Sequence, residues 1–422
     1  MRKIHSRRLC SPSCILIVSL ILILIFTTRC QYKQENTVDN QEKNFIGSTE
    51  IISIPASTIP TKYLVVPYYE FVMRTSITCR KNKIDNPGKN PANLYPKYSK
   101  YLRGPFSYVI PSTNITFDDV EQFYIKTLVN KPKNKQMIET HFAKNITFEN
   151  IPYVFKDGLW FPVGVTSAQR TAILVTLQGR YYNAKTFLLN IHAFLRRQQL
   201  TYTVMFIEQV APVTPRFNKG RLYNTAINYL EKQSLNITCL ILHDVDLIPE
   251  DDGNYYTCER NHPKHTTIRV RKLNDTRGYT RYYEFLVGGV LLLTFDMYKQ
   301  FNGFSNLYWG WGGEDDDLAL RFIEQKMCVV RPTYESAIYI ALQHPTGKRN
   351  SARFGLLTWS TLRLYTDGYE QIESLTRIVH INQTSIVTHL QLDVDATRDH
   401  EHSASSNAIK IGGIRTIRTK PV

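Results

Sequence analysis

The 422-residue chain is predicted to fold as an α/β protein with a largely parallel central sheet. From residue 172 onward, short apolar runs alternate with segments whose apolar residues recur at helical spacing. The predicted strands are 172–177, 202–210 and 239–242, and the predicted helices between them are 183–199 and 222–230. This alternation indicates parallel strands with helices on both faces. In such sheets, ligands bind beyond the carboxyl ends of the strands.

The amino-terminal region has the pattern of a membrane anchor followed by a linker. Residues 13–28 are almost wholly apolar and uncharged, and basic residues precede them. A cleaved signal peptide needs a small-residue exit, which residues 26–30 supply poorly, whereas a retained anchor keeps its basic end in the cytosol. The anchor is favoured. We expect a cytoplasmic tail at 1–12, a transmembrane signal anchor at 13–28, a flexible lumenal stem at 29–75, a folded domain at 76–395 and a basic tail at 396–422.

Five N-glycosylation sequons support a lumenal location for the rest of the chain. Each is weak evidence by itself, but all five follow the predicted anchor, at Asn114, Asn145, Asn236, Asn274 and Asn382. A lumenal location permits disulfides. The chain has seven cysteines, so at least one thiol stays unpaired or pairs with another chain.

The net charge of +16 raises the question of nucleic-acid binding. Basic residues are spread out, with small clusters at 1–8, 269–272 and 415–420, and the chain has no helix-turn-helix, zinc-finger or RNA-recognition signature. We therefore expect a solvated basic surface and no nucleic-acid partner.

An Asp-Val-Asp motif follows the third predicted strand. Asp244 and Asp246 flank Val245 immediately after the buried run 239–242. Two carboxylates at a strand end can hold a divalent cation, which neutralises the charge that develops on a departing nucleotide diphosphate. The motif is also common in solvated turns. Its position between a buried strand and 247–249 favours a binding site.

The second motif, at 308–317, combines tryptophan, glycine and acid (YWGWGGEDDD). Its glycines permit backbone conformations and hinge motion that other residues disfavour, and Trp309 and Trp311 can offer stacking faces to sugar rings. The four acids open a predicted amphipathic helix, where the helix dipole stabilises them. Helix capping alone is the alternative reading, but it does not account for the interleaved tryptophans and glycines.

Residues 172 to about 394 resemble the β-1,4-galactosyltransferase family, glycosyltransferase family 7, an inverting, metal-dependent group of Golgi enzymes. The resemblance runs in the family's order through 217–218, 243–249, 288–289, 302–304, 308–317, 331–332, His344 and 353–354. It implies a GT-A fold, which is Rossmann-like, and makes 76–395 the predicted catalytic domain of a single-pass type II Golgi membrane protein.

The resemblance also implies a role for each matching residue. Asp246 and His344 would ligate Mn²⁺, Asp315 would be the general base, and Glu314 would act beside it by holding a substrate hydroxyl. The nucleotide and donor sugar would be held by Arg180, Phe217, Asp244, Leu286, Gly289 and Trp311. The acceptor would be held by Asp316, Arg353 and Phe354.

The cysteines and the nucleotide motif are compared with the family in the same way. Cys239 and Cys258 match a family disulfide, with buried free thiols as the alternative. The partner for a second family disulfide corresponds to Val165, which would leave Cys79 unpaired. Only Arg180 survives of the family's nucleotide motif, which reads Thr-Leu-Gln-Gly-Arg at 176–180. Ala341 replaces a metal-binding methionine and has no donor atom, so metal affinity or choice can differ.

Leu286 replaces the tyrosine of galactose-specific members and leaves room for an N-acetyl group. We therefore expect UDP-galactose or UDP-GalNAc as donor, a terminal GlcNAc as acceptor, and a β-1,4 link. Two alternatives remain. One is a catalytically silent Golgi relative that binds glycans or scaffolds other enzymes. Ala341 and the altered stretch 176–179 favour it, and the intact set Asp244, Asp246, Glu314, Asp315 and His344 disfavours it. The other is transfer to the xylose of a proteoglycan linker, which 287–293 favours and the full acid run and Cys258 weaken.

Overall fold

The computed structural model describes residues 76–79, 104–111, 115–129, 151–210, 216–345, 347 and 349–394, and the structural statements below concern these residues. The predicted cytoplasmic tail at 1–12, the anchor at 13–28, the stem at 29–75, the tail at 396–422 and the sequons at Asn114 and Asn145 lie outside them. Within the described residues, no helix has the length and apolar character needed to cross a membrane.

The strands arise from runs rich in apolar and β-branched residues, which favour the pleated, buried environment of a sheet. In chain order they are β1 Tyr153–Lys156, β2 Leu159–Pro162, β3 Arg170–Leu177, β4 Thr201–Val210, β5 Cys239–Asp244, β6 Leu247–Pro249, β7 Lys264–His265, β8 Arg269–Lys272, β9 Thr280–Arg281, β10 Val290–Leu293, β11 Ile338–Ala341, β12 Arg377–Gln383 and β13 Thr388–Asp393.

The helices follow the apolar periodicity of the sequence. In chain order they are α1 Phe117–Ile125, α2 Tyr181–Arg197, α3 Lys219–Glu231, α4 Phe295–Gln300, α5 Glu314–Glu324, α6 Arg353–Thr358 and α7 Ser360–Arg363, followed by a 3₁₀ helix at Tyr369–Ser374. The three strands and two helices predicted between 172 and 242 are all present, with boundaries that differ by at most three residues.

The main sheet is mixed, and not mostly parallel as the sequence predicted. Its strands run in the order β1-β2-β4-β3-β5-β10-β7, and β13 joins β12 to the β4 side. Strands β3, β4, β5 and β13 are parallel, whereas β10 is antiparallel to β5. The chain passes from β3 to β4 on one side of it, and then from β4 back across β3 to β5 on the other side. Because the two crossovers run in opposite directions and both are right-handed, α2 and α3 lie on opposite faces of the sheet.

The antiparallel strand β10 brings two distant motifs together. Val290 pairs with His243, so the start of β10 lies beside the end of β5. The Asp244 amide donates to the Gly289 carbonyl at 2.9 Å. The short apolar run 290–293 carries no sign of its strand direction, and the alternation that predicts a parallel sheet ends at residue 242.

A second sheet has the order β6-β11-β8-β9. In it β11 runs antiparallel to β6, with Ala341 opposite Leu247, and the Leu342 amide donates to the Asp246 carbonyl at 2.7 Å. This pairing carries the chain from β11 directly past the Asp-Val-Asp motif.

Two disulfides link the described cysteines. Cys239 and Cys258 are joined, as the family resemblance implied. Cys79 is joined to Cys328, so the expectation that Cys79 is unpaired is wrong. Residues 77–79 hydrogen-bond with Val329, through its amide to the Ile77 carbonyl at 2.7 Å and its carbonyl to the Cys79 amide at 2.9 Å. The two cysteines are 249 residues apart in the sequence. The backbone hydrogen bonds bring their sulfur atoms together, and no local sequence pattern reveals this.

The three described sequons are accessible. Asn236, Asn274 and Asn382 are all exposed. Asn236 and Asn274 have φ values of 51° and 65°, a left-handed conformation that asparagine tolerates in turns. Accessibility is compatible with glycosylation at each.

A buried ionic network stabilises the tryptophan-glycine-acid segment at 308–317. The Asp317 carboxylate is fully buried and pairs with Arg321 at 2.7 Å and with Arg363 at 2.9 Å. It also accepts from the Tyr308 hydroxyl at 2.9 Å. Burial alone would raise the pKa of Asp317, but the two guanidinium groups lower it. The network ties the start of α5 to α7.

Replacement of Asp317 by asparagine is expected to destabilise the protein by about 3 kcal/mol, because two buried arginines lose one of the two carboxylates that neutralise them, the other being Asp367. Urea denaturation of the full-length protein at neutral pH measures this change. Asp393→Asn is the control, since it breaks the more exposed pair with Arg377 and is expected to cost about 1 kcal/mol or less. A cost as small for Asp317→Asn as for the control would show that the network contributes little.

Candidate active site

A cavity of about 430 Å³ opens at the carboxyl ends of β3 and β5. Ten of the residues predicted from sequence line it: Arg180, Phe217, Asp244, Asp246, Leu286, Gly289, Trp311, Glu314, Asp315 and His344. Asp246 and Asp315 therefore share one cleft. Asp316, Arg353 and Phe354 are not among the lining residues.

Asp246 and His344 form a pair on one side of the cavity. The His344 Nε2 lies 3.0 Å from Asp246 Oδ2, and its Nδ1 lies 2.8 Å from the Pro345 carbonyl. The hydrogen bond to Asp246 raises the pKa of His344. Burial alone would raise the pKa of Asp246, but the hydrogen bond and charge of His344 lower it. The β6–β11 pairing supplies this geometry.

The donor atoms present fit a divalent cation. A carboxylate oxygen and an imidazole nitrogen converge, and Mn²⁺ and other first-row divalent cations accept both as ligands. Ala341 also lines the cavity and adds no ligand. The side chains of Cys79, His262 and Cys328 also lie close enough together to suggest a metal site. They are not a second candidate, because the two cysteines form a disulfide and have no thiolate to bind a metal.

Lys219 joins the two acidic motifs, and sequence reasoning missed it. Its Nζ lies 3.0 Å from Asp244 Oδ1 and 3.2 Å from Asp315 Oδ1. Burial alone would lower the pKa of Lys219, but the two aspartates raise it well above its usual value. Burial raises the pKa of Asp244 to about 6, against the opposing charge of Lys219. A lysine in the first turn of a helix resembles a solvated residue, so only its position after Phe217-Asn218 could have drawn attention to it.

The position of Lys219 follows from the start of α3. The Asn218 side chain caps this helix by accepting from the Arg221 amide at 2.9 Å, and it donates to the Asn306 carbonyl at 2.9 Å. The cap fixes where α3 begins. Lys219 therefore points from the first helical turn into the cleft.

The four consecutive acids of α5 face different partners, so helix capping alone does not describe them. Asp315 faces Lys219, Asp316 accepts from the Tyr283 hydroxyl at 2.8 Å, and Asp317 faces the buried arginines. Glu314 accepts from the Gly312 amide at 3.0 Å. Burial, followed by the charge of Asp315, raises the pKa of Glu314 to about 8.

The two tryptophans separate in the structure. Trp311 lines the cavity and remains 56% exposed. Trp309 instead lies under the Arg221 guanidinium, 4.9 Å from its ring centroid, and is not a lining residue. Gly312 and Gly313 follow Trp311 with φ values of 104° and 97°, which residues with a side chain rarely adopt.

The predicted acceptor residues Arg353 and Phe354 lie beside the tryptophan loop, outside the cavity. The Arg353 side chain packs against Gly312 and Gly313, and its guanidinium sits 4.4 Å from the Phe354 ring centroid. Phe354 is 55% exposed. Arg353 thus links Phe354 to the two glycines that follow Trp311.

Gly288 lies directly against the Asp315 carboxylate. A Cβ atom at residue 288 would lie 2.1 Å from Asp315 Oδ2, so only glycine allows the carboxylate to occupy this place. Gly289 follows with a φ of 93° and packs closely on Thr267. The two glycines set the distance between the start of β10 and the start of α5.

The sequence matches two glycosyltransferase family models. Residues 126–259 match the N-terminal region of glycosyl transferase group 7, and residues 269–345 match the N-terminal domain of galactosyltransferase. Human β-1,4-galactosyltransferase 4 is 37% identical over 256 residues, which cover 58% of this chain and 72% of that protein. The chain belongs to the group 7 glycosyltransferases, the β-1,4-galactosyltransferase family.

Other relatives are matched over less of their length. A β-N-acetyl-D-glucosaminide β-1,4-N-acetylglucosaminyl-transferase from Lymnaea stagnalis is 39% identical over 206 residues, 48% of this chain and 40% of that protein. The chain spans about half the length of several curated relatives, such as 56% of rat β-1,4-galactosyltransferase 3, which is 37% identical over 53% of this chain. Among solved structures, the catalytic domain of Drosophila β1,4galactosyltransferase 7 in complex with xylobiose is similar over 55% of this chain and 97% of that one, with 24% identity and a TM-score of 0.47.

Replacement of Gly288 by alanine is expected to displace the Asp315 carboxylate from Lys219 and to cost about 1–3 kcal/mol, as overpacking of a close contact does. Gly355→Ala in α6 is the control, because a Cβ atom at residue 355 would have no heavy atom within 4 Å. This substitution is expected to leave the stability of the protein unchanged or to increase it. Urea denaturation compares the two variants. Equal stability of both would contradict the close contact.

Proposed function

We propose that this protein is an inverting, metal-dependent glycosyltransferase that moves galactose or GalNAc from a UDP-sugar to a terminal GlcNAc through a β-1,4 link. The observation that carries the proposal is the meeting of Asp246, His344, Asp244 and Asp315 around one cavity, with Lys219 between two of the carboxylates. Family membership supports the reaction class, and the name of the human relative includes the same linkage.

Asp246 and His344 would hold Mn²⁺, which when bound neutralises the negative charge that develops on departing UDP. Arg180, Phe217 and Asp244 line the same cavity and would hold the nucleotide. Of the family nucleotide motif only Arg180 remains, and Thr176, Leu177 and Gln178 line the cavity in place of its other residues.

Asp315 would take the proton from the acceptor hydroxyl as that oxygen attacks the anomeric carbon from the side opposite UDP. Lys219 holds the carboxylate in place, and Gly288 leaves the space that it occupies. Glu314 and Asp316 flank the base and would hold substrate hydroxyls. A base positioned in this way contributes about 10²–10⁴-fold to a rate.

Leu286 supports the acceptance of UDP-GalNAc. It is half-buried and lines the cavity near Gly288 and Gly289, and its side chain is smaller than the tyrosine of galactose-specific family members. The snail relative is named for transfer of an N-acetylated sugar to an N-acetylglucosaminide, which supports both an N-acetylated donor and a GlcNAc acceptor.

The exposed rings of Trp311 and Phe354 support binding of a sugar acceptor beside Trp311, since aromatic rings can stack on the apolar faces of sugars. Arg353, packed beside them, would meet the N-acetyl group of GlcNAc.

We also propose a Golgi lumenal location on a type II anchor. The two disulfides and three exposed sequons support a lumenal compartment.

Asp315→Asn is expected to lower the rate of sugar transfer by about 10³-fold, because the proton acceptor is lost. It also removes one of the two ion pairs of Lys219, so UDP-sugar affinity is measured alongside and is expected to stay within a few fold, since Asp244 still pairs with Lys219. UDP release by the full-length protein, measured with and without Mn²⁺, checks this. Asp393→Asn is the matched control. The silent-relative alternative predicts no Mn²⁺-dependent UDP release from the unmodified protein, and that result would remove the proposed activity.

Leu286→Tyr is expected to lower kcat/KM for UDP-GalNAc relative to UDP-galactose by about tenfold or more, because the larger ring fills the space beside the donor C2 substituent. A matrix of both donors against GlcNAc and xylose acceptors measures the ratio. Rejection of UDP-GalNAc by the unmodified protein would contradict the donor proposal, and transfer to xylose alone would favour the proteoglycan-linker alternative.

A further inference from the structure

The 284–289 loop lies between β9 and β10 and carries three cavity residues, Leu286, Gly288 and Gly289. Three of its backbone carbonyl groups, at residues 284, 286 and 288, accept hydrogen bonds from two side chains, Arg331 and His265, which do not line the cavity. Arg331 Nη2 donates to the Glu284 carbonyl and, at 2.9 Å, to the Leu286 carbonyl. His265 Nε2 lies 2.7 Å from the Gly288 carbonyl.

His265 and Arg331 also contact each other. Arg331 Nη1 hydrogen-bonds with His265 Nδ1. Because a guanidinium only donates, Nδ1 accepts, so the imidazole carries its proton on Nε2 and donates it to the Gly288 carbonyl. Burial, followed by the charge of Arg331, lowers the pKa of His265 well below its usual value, which keeps the imidazole neutral in this role.

The pair is itself anchored from behind. Arg331 Nε donates to the Thr78 hydroxyl at 3.2 Å. Thr78 lies in the short segment held against Val329 by hydrogen bonds and by the Cys79–Cys328 disulfide. His265 is 1% exposed, and its amide donates to the Val330 carbonyl at 3.0 Å. Three separate segments thus meet at the guanidinium.

We propose that His265 and Arg331 are positioning residues that fix the positions of Leu286 and Gly288. Through Leu286 they influence the choice of donor, and through Gly288 they fix the position of the Asp315 carboxylate. Three successive alternate carbonyls held by this pair leave the 284–289 loop little freedom to move. The Leu286 side chain is then presented to the cavity at one depth, and Gly288 is kept against Asp315. The effect on donor choice rests on the proposed function, whereas the restraint of the loop does not.

Arg331→Lys keeps the positive charge but loses the planar fork that reaches several acceptors at once. Amide hydrogen exchange of the full-length protein is expected to accelerate by about tenfold in peptides covering 284–290, with no change in the β13 peptide. The ratio of the dissociation constants of UDP-galactose and UDP-GalNAc with Mn²⁺ is expected to shift by about threefold or more. Arg377→Lys on β12 is the control.

Two further variants cover the case in which Arg331→Lys does not fold. Thr78→Val removes only the acceptor of Arg331 Nε and is expected to give a smaller acceleration confined to the same peptides. His265→Gln keeps a donor for the Gly288 carbonyl and is expected to rescue most of the protection that His265→Leu loses.

Faster exchange throughout the domain with an unchanged donor ratio would assign these residues a purely structural role and overturn the proposal. Unchanged exchange at 284–290 in all variants would overturn it as well. If the unmodified protein binds neither UDP-sugar, the proposed function fails, while the exchange measurements still decide whether the pair restrains the loop.

Discussion

The arrangement of the cleft depends on one ammonium group between two carboxylates. Lys219 touches Asp244 at the end of β5 and Asp315 at the start of α5, and these elements are far apart in sequence. Carboxylates crowded into a cavity repel one another and lose hydration. A buried cation offsets both effects, so the acids can share one site, and the burial of Lys219 is acceptable only because both acids are present.

The layers around this interaction hold its members in register. Behind Asp315, the Asp317 network with Arg321 and Arg363 fixes the first turn of α5. Beside it, Gly288 provides contact without a side chain, and the 284–289 loop that carries it is tied to His265 and Arg331. On the other side, the pairing of β6 with β11 delivers His344 to Asp246. A site assembled from separate segments needs such support because each segment alone has several accessible conformations.

The mixed direction of the main sheet is what places acids from separate motifs at one edge. In a wholly parallel sheet, a strand beside β5 would end where Asp244 lies. Because β10 runs the opposite way, its preceding residues, Gly288 and Gly289, lie there instead. The close approach of backbone at this point leaves room for Asp315 and for a ligand.

Local patterns in the sequence determined the strands and helices from 172 to 242, the strand-end position of Asp244 and Asp246, and the tryptophan-glycine-acid segment, because apolar periodicity and glycine-rich motifs act over a few residues. The tertiary structure alone decided the direction of β10, the Cys79–Cys328 pairing, the separation of Trp309 from Trp311 and the place of Lys219. Each of these depends on which distant segments pack together. A lysine at a helix start or a short apolar strand is compatible with many packings, and only the burial of the whole domain selects one.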